Sequence, residues 1–206
     1  MADPIPLQSP LQRFGLAGRA ASSTAGTGPG AGVMAAERAF LSHLNLRGES
    51  SDPRFAQALR DASGLALPVA PNTVAEARGA TLYWLGPGEW LRVAGREHSA
   101  ATEAALRAAF AGLHAAVTDV SGGQTVVVLR GDAVRATLAK GCPLDLDPRV
   151  FRVGACAQSH LAKAPILIRP IGPGSAFEII VRRSFAEYFW LWLEDAAAEY
   201  GFAVTT

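Results

Sequence analysis

The chain has 206 residues, 50% of them hydrophobic and 18% charged, enough for one sizeable domain or two small ones at about 100–200 residues per domain and too apolar for a disordered chain. Nineteen basic against 18 acidic residues leave a net charge of +1, which offers no electrostatic footprint for a nucleic-acid backbone or an anionic membrane. A charge content below the roughly 25% usual for soluble domains leaves apolar surface for a partner to cover.

The start, MADPIPLQSPLQRFG, has Asp3 and three prolines where a secretory signal needs a basic end and an apolar run. No run of about 20 apolar residues suggests a membrane span. Residues 18–32 are nearly all Gly, Ala, Ser and Thr and cannot bury enough surface to fold alone. Gly26, Gly28, Gly30 and Gly32 do not make a phosphate loop, because no apolar strand precedes them. Residues 1–38 therefore read as an extended or flexible arm, with Ile5, Leu7, Leu11, Phe14 and Leu16 as anchors on another surface.

Alternating elements follow. Residues 40–47 read as a strand; Asp52 caps a helix that starts at Pro53, runs to residue 62 and stops at Gly64. Strands at 81–85 and 90–94 flank the turn Gly86-Pro87-Gly88-Glu89, and Trp84 and Trp90 beside it read as core. A helix over 100–111, capped by Ser99, and a strand at 117–120 complete a strand, helix, strand, strand, helix, strand order, which is ferredoxin-like. A second unit repeats the theme: a Val-rich strand at 125–130, a short helix begun by Asp132 and ended by Gly141, and strands at 155–161, 165–169 and 177–182. A final helix then opens at Ser184 with Glu187 as a capping box and ends at Tyr200. The fold class expected is α+β: two ferredoxin-like units with largely antiparallel sheets, divided as 1–38, 39–121 and 122–206.

Residues with chemical potential do not converge. His43, His98, His114 and His160 are scattered without metal-ligand spacing. Asp145 and Asp147 sit in a turn before Pro148, and no G-x-S-x-G elbow selects a serine nucleophile. Cys142 and Cys156 lie in no CxxC and read as small buried residues of a protein kept in a reducing cytoplasm. No catalytic or metal residue is assigned, and no cofactor-binding residue is identified. On the last helix Phe185, Tyr188, Phe189, Trp192, Leu193, Ala196 and Tyr200 share one face at about 100° per residue. Trp190 and Leu191 fall outside it, beside Glu187 and Glu194, and with Phe14 and Leu16 they are the expected partner contacts.

Three blocks, DVSGGQTVVVLRGDAVRATLAKGCPLDL, AQSHLAKAP and FEIIVRRSFAEYFWLWLEDAAAEYG, together with FLSHLNLRG, LALPVAPNT and LYWLGPGEWLRV upstream, resemble the gamma subunit of heterotetrameric sarcosine oxidase. The resemblance spans about residues 39–203. It implies a fold similar to the folate-binding domain of the aminomethyltransferases, and a complex that oxidises the N-methyl group of sarcosine to give glycine and peroxide, with formaldehyde or methylene-tetrahydrofolate. It further implies alpha, beta and delta partners, and FAD, FMN, NAD and tetrahydrofolate held on other subunits, with zinc an option on delta. This chain would be a structural subunit without the catalytic site. The alternative is a stand-alone folate-binding protein of the aminomethyltransferase type. The acid that such a folate pocket needs has one counterpart in the hairpin 161–179, Glu178, expected to face away from the core.

Overall fold

The computed structural model describes residues 7–24, 30–97, 99–172 and 174–206; Ile5, Gly26, Gly28 and His98 lie outside them. After a 3-10 turn at Gln12–Phe14 come α1 (Leu16–Thr24), β1 (Val33–Arg38), β2 (Ser42–Arg47), α2 (Pro53–Ser63), β3 (Val74–Ala77), β4 (Ala80–Gly86), β5 (Glu89–Ala94), α3 (Ser99–Ala109) and β6 (Ala116–Asp119). Then follow β7 (Gln124–Arg130), α4 (Val134–Ala139), β8 (Ala157–Leu161), β9 (Ala164–Pro170), β10 (Ala176–Arg182), α5 (Arg183–Ala197) and β11 (Phe202–Val204).

α2 forms where local chemistry directs it. Asp52 is extended and its carboxylate accepts from Arg54 N at 2.9 Å, Pro53 takes the first helical position, and left-handed Gly64 ends the helix by donating to Arg60 O at 2.7 Å. α5 differs from expectation. It begins at Arg183 with Arg182 as the N-cap residue, whose side chain has no acceptor to offer, so Ser184 falls inside the helix and there is no side-chain cap; Glu187 instead pairs with Arg13 at 2.8 Å.

The five-stranded sheet has the order β3-β4-β5-β2-β6, all antiparallel. Without edge strand β3 this is the ferredoxin-like order, with α2 and α3 on one face. Alternation on the strands sends Leu44, Leu46, Leu82, Trp90 and Val117 to that face, where they meet Phe55, Leu59, Leu106 and Phe110. Trp90 lies 5.5 Å from the Phe55 ring and donates Nε1 to Pro68 O at 2.8 Å. Burying one such side chain contributes about 1.5–3 kcal/mol.

The six-stranded sheet runs β11-β1-β7-β10-β9-β8, antiparallel except for the β1–β11 pair. It is a ferredoxin-like unit into which β1 has been inserted. β11, which follows α5, pairs with β1 instead of with β7. The alanines and terminal charges of VMAAER make a weak strand signal, so the expected arm hides a strand central to the second sheet. The arm's described part is not free elsewhere either. Leu11 and Ala20 are buried in the same core cluster as Trp190 and Leu193 of α5, with Phe14 and Leu16 packed against it, while Leu7, also expected to anchor, is exposed.

Glycines make this threading sterically feasible. Gly32 N donates to Tyr200 O at 2.8 Å, Val33 N to Gly201 O at 3.1 Å, and Ala133 N to Gly32 O at 3.0 Å. At Gly131, held at φ +125°, a Cβ would fall 2.3 Å from Gly32 O. The two sheets face each other through Tyr83, Leu91, Val93, Val126, Cys156, Leu167 and Ile180. The result is four layers, helix, sheet, sheet, helix, with main-chain bonds from Cys156 N to Asn72 O (2.8 Å) and Val74 N to Gly154 O (3.0 Å) joining the sheets along one side.

Candidate functional site

The space between the sheets holds a cluster of buried charged and polar side chains. On β10 the period of two turns Phe177, Ile179 and Val181 toward α5 and Glu178, Ile180 and Arg182 toward the other sheet. Glu178 is thus 3% exposed, and the expectation that it faces away from the core is corrected. Its Oε1 accepts from Arg169 Nε at 2.8 Å and from the Tyr83 hydroxyl, and its Oε2 from Arg38 Nη1 at 2.8 Å. Arg169 Nη1 also reaches Glu76 at 2.5 Å. Burial alone would raise the Glu178 carboxyl, but Arg169, Tyr83 and Arg38 overcome it and hold the group below its ordinary range; burial and the Glu178 charge push the Tyr83 hydroxyl well above its own. Both carboxylate oxygens are consumed by residues of β1, β4 and β9. The acid that the fold resemblance offered for folate is a clamp between sheets and does not fit that role.

His43 faces the same interior at 1% exposure. Its Nδ1 lies 3.2 Å from Leu41 O and its Nε2 has no partner; burial outweighs the nearby acids and lowers its pKa to about 4. At the opposite end of the inter-sheet space a cleft opens. Its inner part, about 190 Å³, is floored by Leu85, Leu91, Leu167 and Ile180. Its outer part, about 590 Å³, is rimmed by Asn45, Arg47, Glu89 and Thr118. Both share Gln124, Gln158 and Arg182.

The remaining candidates stay apart. Among the described residues no group of three or more His, Cys, Asp or Glu side chains is placed to hold a metal ion. His114 follows α3, His160 is on β8, and the two cysteines are free and buried in different clusters. Burial pushes the Cys156 thiol up to about 11, which makes it a poor nucleophile. Asp145 and Asp147 shape their own turn, Asp147 accepting from Arg149 N at 2.8 Å and from its guanidinium.

The model of the sarcosine oxidase, gamma subunit family matches residues 47–199. The chain belongs to that family. It is 37% identical over 182 residues to the sarcosine oxidase subunit gamma of Corynebacterium sp. (strain P-1), covering 88% of this chain and 85% of that one. It is 36% identical over 182 residues to the subunit of the same name from an Arthrobacter species, with the same coverage. In structure it is similar to a chain of the heterotetrameric sarcosine oxidase from Corynebacterium sp. U-96 in complex with pyrrole 2-carboxylate: TM-score 0.82, 33% identity, covering 97% of this chain and 99% of that one. The glycine cleavage system aminomethyltransferase T of Bartonella henselae shares the fold at TM-score 0.59 and 15% identity, over 85% of this chain and 48% of its own.

Within this gamma-subunit chain the expected partner contacts separate. Trp190 is 0% exposed and does not sit on a surface. Its ring packs 6.2 Å from Phe14 and edge-on, at 5.7 Å, to Phe202, and its Nε1 donates to Glu194 at 2.7 Å. Helical periodicity missed this because the N-terminal segment adds a second cover on that side of α5, so Phe14 and Leu16 also point into the chain's own core. Leu191 alone of the four is exposed, at 48%, beside Tyr188 on the outer stripe of α5.

Proposed function

We propose that this chain is the structural gamma subunit of a heterotetrameric sarcosine oxidase. In that complex the alpha, beta and delta subunits carry out the oxidative demethylation of sarcosine to glycine, peroxide and a one-carbon product. The observation that carries the reading is the correspondence of nearly the whole chain with one chain of a heterotetrameric sarcosine oxidase. FAD, FMN, NAD and tetrahydrofolate belong on the other subunits, with zinc an option on delta, and the complex works in the cytoplasm. Leu191 and Tyr188 on the outer stripe of α5 are the contacts assigned to a neighbouring subunit.

The test is co-expression with the three partner subunits. The chain is expected to co-purify in a yellow complex that forms peroxide from sarcosine, and to be colourless and inactive alone. Failure to enter that complex would overturn the reading. The stand-alone folate-binding alternative draws on the shared aminomethyltransferase fold, and calorimetry of tetrahydrofolate into the isolated chain decides it; heat that saturates at one equivalent would replace the structural reading.

A further inference from the structure

The inner face of the six-stranded sheet presents four arginines, and their charges are met unequally; Arg130 stands at the far end of β7, outside the cleft. Arg38 and Arg169 are both held by Glu178, and Arg169 also by Glu76. Arg182, four residues along β10 from Glu178 on the same face, makes no ion pair or hydrogen bond among the described residues. Its cross-strand partner is Gln124 on β7. The side-chain Oε1 of Gln124 is enclosed and has no hydrogen-bond donor. The remaining polar groups around the cleft are mostly occupied: Gln158 Nε2 donates to Leu85 O at 2.6 Å, Asn45 Nδ2 to Glu89 at 2.8 Å, and Arg47 pairs with Glu89 at 3.1 Å. The cleft is left with one exposed guanidinium on its rim that has no protein partner among the described residues and one unmet acceptor, above a floor of Leu85, Leu91, Leu167 and Ile180.

A guanidinium fork matches a carboxylate in a planar two-bond geometry, and a buried acceptor without a donor carries its desolvation cost until one arrives. We propose that this cleft is a binding site for a carboxylate with a neighbouring N–H donor, the carboxylate meeting Arg182, the N–H meeting Gln124 Oε1, and an apolar flank lying on the leucine floor. The inner volume of about 190 Å³ suits a ligand of amino-acid size. Two sources supply this chemistry: a free N-substituted amino acid, and an acidic residue with its own peptide N–H on a neighbouring subunit. The proposal stands apart from the assembly role, since the first source needs no partner.

The probe is N-acetylglycine, titrated into the full chain by calorimetry or by following amide shifts. Saturable binding is expected, weakened at least tenfold by Arg182→Gln and by Gln124→Leu. It should weaken likewise for N-acetyl-N-methylglycine, which lacks the N–H, and for N-acetylglycinamide, which lacks the carboxylate. The partner-borne source is read in the co-expressed complex: Arg182→Glu then lowers recovery of this chain with its partners at least tenfold while Arg182→Lys retains most of it, even where the free chain ignores the probe. Circular dichroism of each variant confirms the fold, which the exposed position of Arg182 on the cleft rim leaves intact. Probe binding absent and assembly within twofold of wild type for both Arg182 variants would overturn the proposal. A wild-type chain that never joins the complex would overturn the assembly role and leave the probe titration as the decisive arm.

Discussion

The rings of Phe14 and Trp190 pack at a centroid distance of 6.2 Å with their planes tilted by 39°, so a residue from the N-terminal segment roofs an α5 tryptophan 176 positions later in the chain. Arg13 and Arg19 fasten the same roof through Glu187 at 2.8 Å and Glu194 at 2.5 Å. What periodicity marks as an outward-facing tryptophan is thereby an internal one.

Two neighbouring substitutions separate core from surface. Trp190→Glu is expected to destabilise the isolated chain by about 3–5 kcal/mol, as an unpaired charge does in a dry interior, with a matching fall in the urea midpoint. Leu191→Glu is expected to move that midpoint by no more than about 0.5 kcal/mol while lowering recovery with the partner subunits. Equal destabilisation by both would contradict this division.

Glu178 holds the sheets together. Glu178→Gln leaves Arg169 buried with its charge half met, and a loss of about 3–5 kcal/mol is expected in denaturant unfolding. Tyr83→Phe removes one donor to that carboxylate and is expected to cost less, about 1–3 kcal/mol. The order of the two midpoints is the check.

His43 makes stability depend on pH in a stated direction. Its pKa is about 4 in the folded chain against an ordinary 6.5, so between those values the unfolded chain binds the proton and the folded one does not. Stability from this group is complete above about pH 6.5 and declines as pH falls toward 4, by about 3 kcal/mol at most for a shift of this size. Unfolding curves at pH 7 and pH 4.5 should converge for His43→Leu relative to wild type, after the carboxylate contribution common to both.

Arg92 is the opposite case from Arg169. It is 7% exposed, its Nε and Nη1 have no partner, and burial lowers its pKa. Its register partners are Leu44 and Leu82, which places it among apolar side chains facing α2 and α3. Arg92→Met keeps the length of the side chain and removes the charge, so the melting temperature of the isolated chain is expected to rise, by the equivalent of about 1–2 kcal/mol. A fall would show that the guanidinium is satisfied by solvent.

How much of this was readable in advance follows from the range of each cause. α2 was legible in full, because Asp52, Pro53 and Gly64 act within one or two turns of the helix they delimit. The β4–β5 hairpin was legible from Gly86-Pro87-Gly88, and the family blocks carried the paired ferredoxin-like units. β3 was not, because VAEA is short and forms only against β4.

Composition, caps, turns and strand alternation determined the elements and their class, since each acts between residues close in the chain. Tertiary structure alone decided where those elements meet. β1 becomes a strand only between β7 and β11, Trp190 becomes core only under Phe14, and Glu178 becomes a clamp only when Arg38 and Tyr83 arrive from other strands. In each instance the decisive partner lies 88 residues or more away in sequence, and burial there is a property of the assembled layers, which no local pattern encodes.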